Sequence, residues 1–176
     1  MTSADGYFAA LAESILFQQL AGKAAASIHR SFLAQLDGPP TPEAILAVAP
    51  EKLRAAGLSG AKAAAIIALA QAVTAGEVPL QRLPRLKDDE VVSVLTSVKG
   101  IGPWTAHMFC IFTLGRLDIW PTTDYGVRKG YATAYGLPDL PAPRELQELG
   151  ERYRPYRSVV AWYLWRAVED KGLAAP

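Results

Sequence analysis

The sequence predicts an all-α fold, and three observations support this fold class. Apolar residues recur at helical spacing along most of the chain, and no segment shows the sustained alternation of a half-buried strand. Prolines and glycines fall where helices would begin and end. Hydrophobic residues make up 51% of the 176 residues, which is enough for a packed core. We expect about nine or ten helices and no sheet.

The first helices are predicted from apolar faces and from residues that start or stop a helix. Tyr7, Phe8, Leu11 and Ile15 share one face of the first helix, and Phe32 lies on the matching face of the second. The next boundaries are Thr41 as N-cap with Pro42 as first helical residue, Pro50 and Gly57 at the ends of a further short helix, and Gly76 after an alanine-rich run from 61 to 75.

The later helices follow from the same kinds of signal. Asp88 is predicted to cap a helix that ends near Thr96, and the next helix opens with Pro103 and ends at Gly115. Thr122 or Thr123 caps a helix that runs to about Tyr135 and is closed by Gly136. Pro143 and Pro155 bound the penultimate helix, and the last helix runs from Arg157 to about Lys171.

Charge and cysteine usage limit the function classes. The net charge of +1 gives no bulk electrostatic argument for nucleic acid, so any DNA-binding face must come from local arrangement. The single cysteine, Cys110, excludes an internal disulfide and a thiolate metal cage. Residues 1–20 contain neither a cationic signal peptide nor a transmembrane-length apolar segment, so we expect a cytoplasmic protein without a membrane partner.

The most informative segment is LTSVKGIGPWTA, which predicts two helices joined by a very tight hairpin. Gly100 and Gly102 permit a reversal too sharp for residues with a Cβ, and they let a phosphodiester approach the backbone. Backbone N–H groups at the start of the second helix form an anion site, to which Lys99 and Thr105 can add a charge and a hydroxyl. The alternative is an ordinary helical hairpin whose glycines serve only as caps.

The hairpin and the segment that follows it carry a family resemblance. Together with GRLDIWPTTDYGVRKGY, which contains Pro121 and Asp124, the hairpin resembles the helix-hairpin-helix superfamily of DNA glycosylases. Within it the chain is most similar to 3-methyladenine DNA glycosylase II, the class that removes alkylated bases. Further support comes from ILFQQLAGKAA at 15–25, LPRLKDDEVVSVL at 83–95 and ERYRPYRSVVAWYLWRA at 151–167.

The resemblance implies a particular architecture. Two helical lobes flank a DNA-binding cleft, with the helix-hairpin-helix motif at about 88–114. The central lobe covers about 22–120, and the second combines the N-terminal helix, about 1–21, with the C-terminal helices, about 121–176. The chain resembles a compact form of the family without its N-terminal sheet domain, and we expect a monomer.

The resemblance assigns catalysis to Asp124. The loop after the second hairpin helix is long enough to return Asp124 to the end of that helix near the hairpin. A carboxylate there stabilises the oxocarbenium character that develops on deoxyribose during cleavage of the N-glycosidic bond. The alternative is that Asp124 only stabilises the start of its own helix.

Base flipping and base recognition need further residues. Gln19, then Leu20, and the neighbouring Gln18 match the position of the wedge that fills the vacated stack, although these glutamines could instead cap the first helix. The base pocket that the resemblance implies consists of Trp104, Tyr125, Trp165 and Met108, whose rings attract a cationic alkylated base. Trp120 and Trp162 are expected to pack in the core or on the surface.

The resemblance also limits the chemistry and the cofactors. Relatives that cut the DNA strand carry a lysine where Trp104 stands, so a monofunctional glycosylase that leaves an abasic site is expected. No cofactor is required, the four-cysteine iron-sulfur cluster of some relatives is excluded, and carbonyls of Thr96, Val98 and Ile101 are candidates to hold a structural Na⁺ or K⁺. The partner would be damaged double-stranded DNA, and the alternative function is a non-catalytic helix-hairpin-helix DNA-binding protein.

Overall fold

The computed structural model describes residues 3–18 and 22–169, and in these ranges the chain is all-α with no strand. The predicted fold class is confirmed. The helices are α1 (Ala4–Phe17), α2 (Gly22–Leu33), α3 (Pro42–Ala47), α4 (Pro50–Ala55), α5 (Gly60–Thr74), α6 (Asp88–Thr96), α7 (Pro103–Met108), α8 (Tyr125–Tyr135), α9 (Pro143–Gly150) and α10 (Arg157–Glu169). Short 3₁₀ turns cover Leu83–Arg85 and Glu151–Tyr153.

The chain divides into two compact units, the first of which ends at Phe109. Helix α1 packs on α2, α5 and α7, while α3 and α4 pack on α5. Phe8, Leu11 and Ile15 of α1 are fully buried, as are Ile66 and Leu69 of α5. The helical spacing of these apolar residues therefore produces the buried face that the sequence predicts.

The second unit begins at Cys110 and is built around the contact between α8 and α10. Its core contains Val127 and Tyr131 of α8 and Leu164 of α10, together with Trp120. The Trp120 indole donates a hydrogen bond from Nε1 to the Leu146 carbonyl at 2.7 Å. Trp120 is thus a core residue, as predicted.

The unit that ends at Phe109 contains α1, which packs on α2, α5 and α7. The apolar residues Phe8, Leu11 and Ile15 of α1 are fully buried. The two lobes that the resemblance implies, with residues of about 1–21 grouped with the C-terminal helices, stay a prediction.

Several predicted helix ends are confirmed by their caps. Thr41 Oγ1 accepts a hydrogen bond from the Ala44 N–H at 3.2 Å, with Pro42 as the first residue of α3. Gly136 closes α8 in the left-handed conformation, with φ of 62°. These are the positions at which a polar N-cap and a C-terminal glycine satisfy orphan backbone groups.

Two predicted N-caps are wrong. Lys87, rather than Asp88, is the N-cap of α6, and its N–H donates to Glu90 Oε2 at 2.7 Å. Asp124, rather than Thr122 or Thr123, is the N-cap of α8. Asp124 is the cap because its carboxylate accepts a hydrogen bond from the N–H of Val127, three residues along the chain. The predicted end of the last helix near Lys171 lies outside the described residues.

The second hairpin helix continues past α7 with a change of geometry. Residues Phe109–Thr113 form a π-helical segment, and the chain then turns at Gly115, whose φ is 66°. The Arg116 N–H donates to the Cys110 carbonyl at 2.9 Å and closes this turn. A π-helical segment at this point changes the direction in which the loop leaves the helix.

None of the helices in the described ranges is both long and apolar enough to cross a membrane.

Candidate active site

The hairpin backbone depends on a glycine at position 100. Gly100 has φ of 93°, a conformation that L side chains rarely adopt. A Cβ at this position would overlap the Cβ of Ala65 on α5 and lie 3.2 Å from its Cα. The Ile101 N–H donates to the Val98 carbonyl at 3.1 Å and completes the reversal.

Gly102 does not contribute to the reversal, which is one of the two roles predicted for it. Its φ of −94° and ψ of 173° are extended values that any residue adopts, so the sharp reversal comes from Gly100 alone. Gly102 is the N-cap of α7, and a Cβ built on it would meet no protein atom within 4 Å. A glycine here leaves the start of α7 open to a ligand.

An open cavity of about 390 Å³ lies at the hairpin and is lined by Gln18, Gly100, Gly102, Trp104 and Thr105. The Gln18 amide donates from Nε2 to Thr105 Oγ1 at 2.9 Å and to the Gly100 carbonyl at 3.3 Å. The end of α1 and the hairpin are therefore tied together across this cavity.

Two predicted DNA contacts are engaged within the protein. Thr105 is only 2% exposed, and its hydroxyl pairs with Gln18 instead of facing open solvent. Gln18 is the C-cap of α1, as the alternative interpretation of the glutamines expected, and its side chain reaches the hairpin. The two leading candidates for the wedge, Gln19 and Leu20, lie outside the described residues.

Lys62 of α5 fixes the end of α1 that carries Gln18. Its Nζ donates to the carbonyls of Leu16 and Gln18, both at 2.7 Å. A cation at a helix C-terminus is favourable because the last carbonyls lack intrahelical partners. Partial burial at this position lowers the pKa of Lys62 below the usual value for a lysine.

Lys99 and Met108 are not among the residues that line the Trp104 cavity. Lys99 is exposed and lines a separate cavity of about 290 Å³ with Gln71 and Glu77. Met108 is 8% exposed, and the adjacent His107 has a buried Nδ1 without a hydrogen-bond partner in the described structure. The C-terminal half of α7 is therefore mostly packing surface.

In the second unit, Asp124 is held at the start of α8 by donors that include a backbone N–H and an indole N–H. Its Oδ1 accepts from the Val127 N–H at 2.7 Å and from Trp165 Nε1 at 2.8 Å. The alternative that Asp124 caps its helix thus describes a real contact. That contact does not compete with catalysis, because a cap hydrogen bond also fixes where the carboxylate lies.

The Trp165 indole, which the resemblance assigned to the base pocket, lies against Asp124 and two further residues. Its ring stacks on Phe112, with centroids 5.7 Å apart and an interplanar angle of 29°. A Cβ on Gly126 would come within 2.6 Å of Trp165 Cδ1. The indole is therefore enclosed on more than one side while it remains half-buried.

Tyr125 directly follows Asp124 and is 62% exposed. Lys129 places its Nζ 6.0 Å from the centroid of the Tyr125 ring. Tyr125 and Trp165 lie in the second unit, whereas Trp104 and Met108 lie in the first. The four predicted pocket residues thus come from both units, and within the second unit the Trp165 indole contacts Asp124.

The loop before Asp124 is anchored to the start of α10. Arg157 Nε and Nη2 donate to the two carboxylate oxygens of Asp118 at 2.7 and 3.0 Å, and Nη2 also donates to the Asp118 carbonyl at 2.9 Å. Burial by itself raises the pKa of Asp118, but the hydrogen bonds and charge of Arg157, with the charge of Arg154, outweigh burial and lower it. Ser158 adds a hydrogen bond from the Ile119 N–H to its Oγ at 2.9 Å.

No cluster of His, Cys, Asp or Glu suitable for a metal ion occurs in the part of the chain that the structure describes. The carbonyl cradle predicted for Na⁺ or K⁺ is a different kind of site. One of its members, the Val98 carbonyl, accepts the Ile101 N–H, and the cation site itself stays a prediction.

Sequence reasoning missed the contacts that position these residues. The links from Gln18 to Thr105 and from Trp165 to Asp124 join residues 87 and 41 positions apart. A signal was present for the second link, because Gly126 and Gly130 stand four residues apart on α8. Glycines at this spacing share a helix face and allow another helix to approach closely.

The family assignment rests on most of the chain. Residues 12–155 match the model of the HhH-GPD superfamily of base excision DNA repair proteins. The chain therefore belongs to this superfamily. The matched range contains the hairpin, the anchored loop and Asp124.

Similar proteins and structures agree with this assignment. The chain is 36% identical to DNA-3-methyladenine glycosylase 1 of Schizosaccharomyces pombe, over 89% of this chain and 70% of the relative. It is 34% identical to the alkylbase DNA glycosidase-like protein mag2 of the same organism, over 87% of this chain and 74% of the relative. The solved structure of the S. pombe 3-methyladenine DNA glycosylase with abasic DNA aligns with a TM-score of 0.84 and 35% identity, over 91% of this chain and 79% of that one.

Proposed function

We propose that this protein is a monofunctional DNA glycosylase that hydrolyses the N-glycosidic bond of alkylated purines, such as 3-methyladenine, in duplex DNA. The observation that carries the proposal is the carboxylate of Asp124, fixed at the start of α8 in a chain of the base excision repair superfamily. Support for the substrate class comes from the name of the S. pombe relative and from the abasic DNA in the similar solved structure.

Asp124 is proposed to be the catalytic residue. As the purine leaves, positive charge develops on the deoxyribose, and a fixed carboxylate stabilises that charge or orients the attacking water. Hydrogen bonds to Oδ1 hold the carboxylate in place before the reaction begins. A charge that is already positioned does not have to reorganise in the transition state.

The hairpin is proposed to hold the DNA backbone. Gly102 leaves the start of α7 open, and the nearby cavity of about 390 Å³ has the size of a ligand-binding pocket. Trp104 is among the residues that line this cavity, and an indole ring suits contact with a flipped base or with the sugar next to it. Lys99 is exposed and would add a charge that is sensitive to salt.

The product of the reaction is expected to be an intact strand with an abasic site. Trp104 occupies the position at which strand-cutting relatives carry a lysine, and an indole cannot form a Schiff base with the sugar. A K⁺ or Na⁺ ion at the carbonyls of Thr96, Val98 and Ile101 would strengthen phosphate binding by adding positive charge. The monomeric state and the cytoplasmic location stay predictions.

The test measures the bases that are released from methylated duplex DNA by mass spectrometry. We expect the wild type to release 3-methyladenine, with strands that break only after alkali treatment. Asp124→Asn should lower release by at least about 100-fold, because it removes the charge while asparagine remains a good N-cap. Asp139→Asn, a charge change at an exposed loop position of the same unit, is the matched control and should release base like the wild type.

The alternative is a non-catalytic helix-hairpin-helix DNA-binding protein. The similarity to mag2, named only as glycosidase-like, keeps this alternative relevant. A binding protein would retain duplex affinity in both variants and release no base in either. Release by the wild type that persists in Asp124→Asn would contradict the catalytic assignment alone.

A further inference from the structure

Two hydrogen bonds to Oδ1 of Asp124 come from different parts of the chain. The Val127 N–H is local, three residues away, and is the ordinary donor to an N-cap. The second donor, Trp165 Nε1, belongs to α10 and lies 41 positions away. A carboxyl group bonded by one donor can still rotate about its broad terminal torsion, whereas two donors on Oδ1 restrict that rotation.

The distance between α8 and α10 is set by two glycines of α8. A Cβ on Gly130 would overlap the carbonyl group of Leu164, so only glycine permits this approach of the two helices. One turn earlier, a Cβ on Gly126 would lie 2.6 Å from Trp165 Cδ1 and 3.1 Å from Asp124 Oδ1. The missing side chains therefore make the space in which the indole reaches the carboxylate.

The plane of the indole is fixed by its neighbour in the π-helical segment. Phe112 stacks on Trp165 with a centroid distance of 5.7 Å, although Phe112 itself is 62% exposed. This contact restricts rotation of the indole, and so it restricts the direction in which Nε1 donates. Three packing contacts therefore fix the geometry of the hydrogen bond from Trp165 to Asp124. They are Gly130 against Leu164, Gly126 against Trp165 and Phe112 against Trp165.

We infer that Trp165 is a positioning residue for Asp124, which acts through its indole N–H rather than only as an aromatic wall for the base. This inference rests on the proposed function, because it assigns Trp165 a role in the reaction at Asp124. The two roles differ in what they require. A wall needs only the ring, whereas positioning needs the Nε1–H donor at 2.8 Å from Oδ1.

The first test replaces the donor and keeps an aromatic ring. In Trp165→Phe we expect the single-turnover rate of base release to fall by about 10- to 100-fold, as for lost supporting hydrogen bonds, with duplex affinity within about two-fold of wild type. Trp162→Phe is the matched control, since Trp162 is on the same helix, is 43% exposed and contacts Arg166. It should leave the rate unchanged.

The second test keeps the indole and displaces it. Gly126→Ala pushes a methyl group against the ring and the carboxylate, so we expect the rate of base release to fall while the affinity for undamaged duplex is retained.

The third test labels tryptophan with ¹⁵N and follows the indole N–H signals. Asp124→Asn should shift the signal that disappears in Trp165→Phe and leave the Trp162 signal in place.

Three results would overturn the positioning role. These are a Trp165→Phe rate within two-fold of wild type, a rate loss that equals the loss of duplex affinity, and an indole signal of Trp165 that does not respond to Asp124→Asn. Each of them leaves the proposed function intact if the wild type releases base. A wild type that releases no base overturns the proposed function itself, and so the two failures are distinguishable.

Discussion

At the level of single residues, the two hairpin glycines have different roles, one in stability and the other in ligand access. Gly100 has a left-handed φ and lies against Ala65, so both its conformation and its packing exclude a side chain. Gly102 has an extended backbone and no protein atom near the position of a Cβ. The first glycine is needed for folding, and the second keeps the start of α7 accessible.

This difference predicts opposite effects of two alanine substitutions. Gly100→Ala should lower the free energy of unfolding by about 2 to 4 kcal/mol, through left-handed strain and overpacking against α5. Gly102→Ala should cost at most about 1 kcal/mol as a change of N-cap, yet weaken duplex binding because its methyl group points into open space. Chemical denaturation and fluorescence anisotropy measure the two effects. A Gly102→Ala variant with normal affinity would argue against DNA contact at this position.

At the level of elements, the loop between the π-helical segment and α8 is held by α10. Arg157 is 9% exposed in its side chain and binds both carboxylate oxygens of Asp118, whose side chain is 23% exposed. Ser158 bonds the next residue of the loop, Ile119. The helix that carries Trp165 therefore also anchors the loop that leads to Asp124, so α10 supports the carboxylate directly through Trp165 and indirectly through the loop.

The Asp118–Arg157 contact predicts a pH-dependent contribution to stability. Asp118→Asn should lower the free energy of unfolding at pH 7 by about 1.5 to 3 kcal/mol, the range for hydrogen bonds to charged groups. Because the folded pKa of Asp118 lies below the unfolded value of about 3.9, this contribution is present above that pH and is lost as the pH falls through the folded pKa.

Denaturation of wild type and Asp118→Asn at several pH values measures this contribution. The two stabilities should differ at pH 7 and converge below about pH 4. Asp139→Asn, at an exposed position, should match the wild type throughout. A difference between wild type and Asp118→Asn that stays constant to pH 3 would show that the charge of Asp118 does not carry the effect.

At the level of the whole molecule, the sequence predicts the helices much better than the contacts between them. Thr41 with Pro42 and the left-handed Gly136 mark helix ends through local chemistry, and both predictions are confirmed. The N-cap of α8 was placed two residues or one residue too early because threonine and aspartate are both good caps. The Trp165–Asp124 bond depends on how closely α8 and α10 pack, which no local pattern determines.

The structure also shows which arginine side chains are engaged within the protein. The resemblance covers a segment rich in arginine, but those side chains have protein partners. Arg152 donates to the Tyr153 and Tyr131 hydroxyls, Arg154 pairs with Asp118 and Glu151, and Arg157 pairs with Asp118. With these arginines engaged within the protein and a net charge of only +1, we expect few cations to contact the DNA backbone. We therefore expect recognition to rely on backbone N–H groups and aromatic contacts more than on long-range attraction.

This balance predicts a shallow dependence of DNA affinity on salt. Each neutralised phosphate contributes about −0.9 to the slope of log affinity against log salt, so we expect a slope of about −2 to −4 and an affinity loss of about 10- to 300-fold between 50 and 200 mM salt. Anisotropy with a duplex that carries an abasic site measures the slope, and Lys99→Met should make it about one unit shallower. Asp139→Asn serves as a charge-change control outside the hairpin. A slope near zero would contradict any contact with phosphates. A slope steeper than about −6 would contradict recognition by few cations.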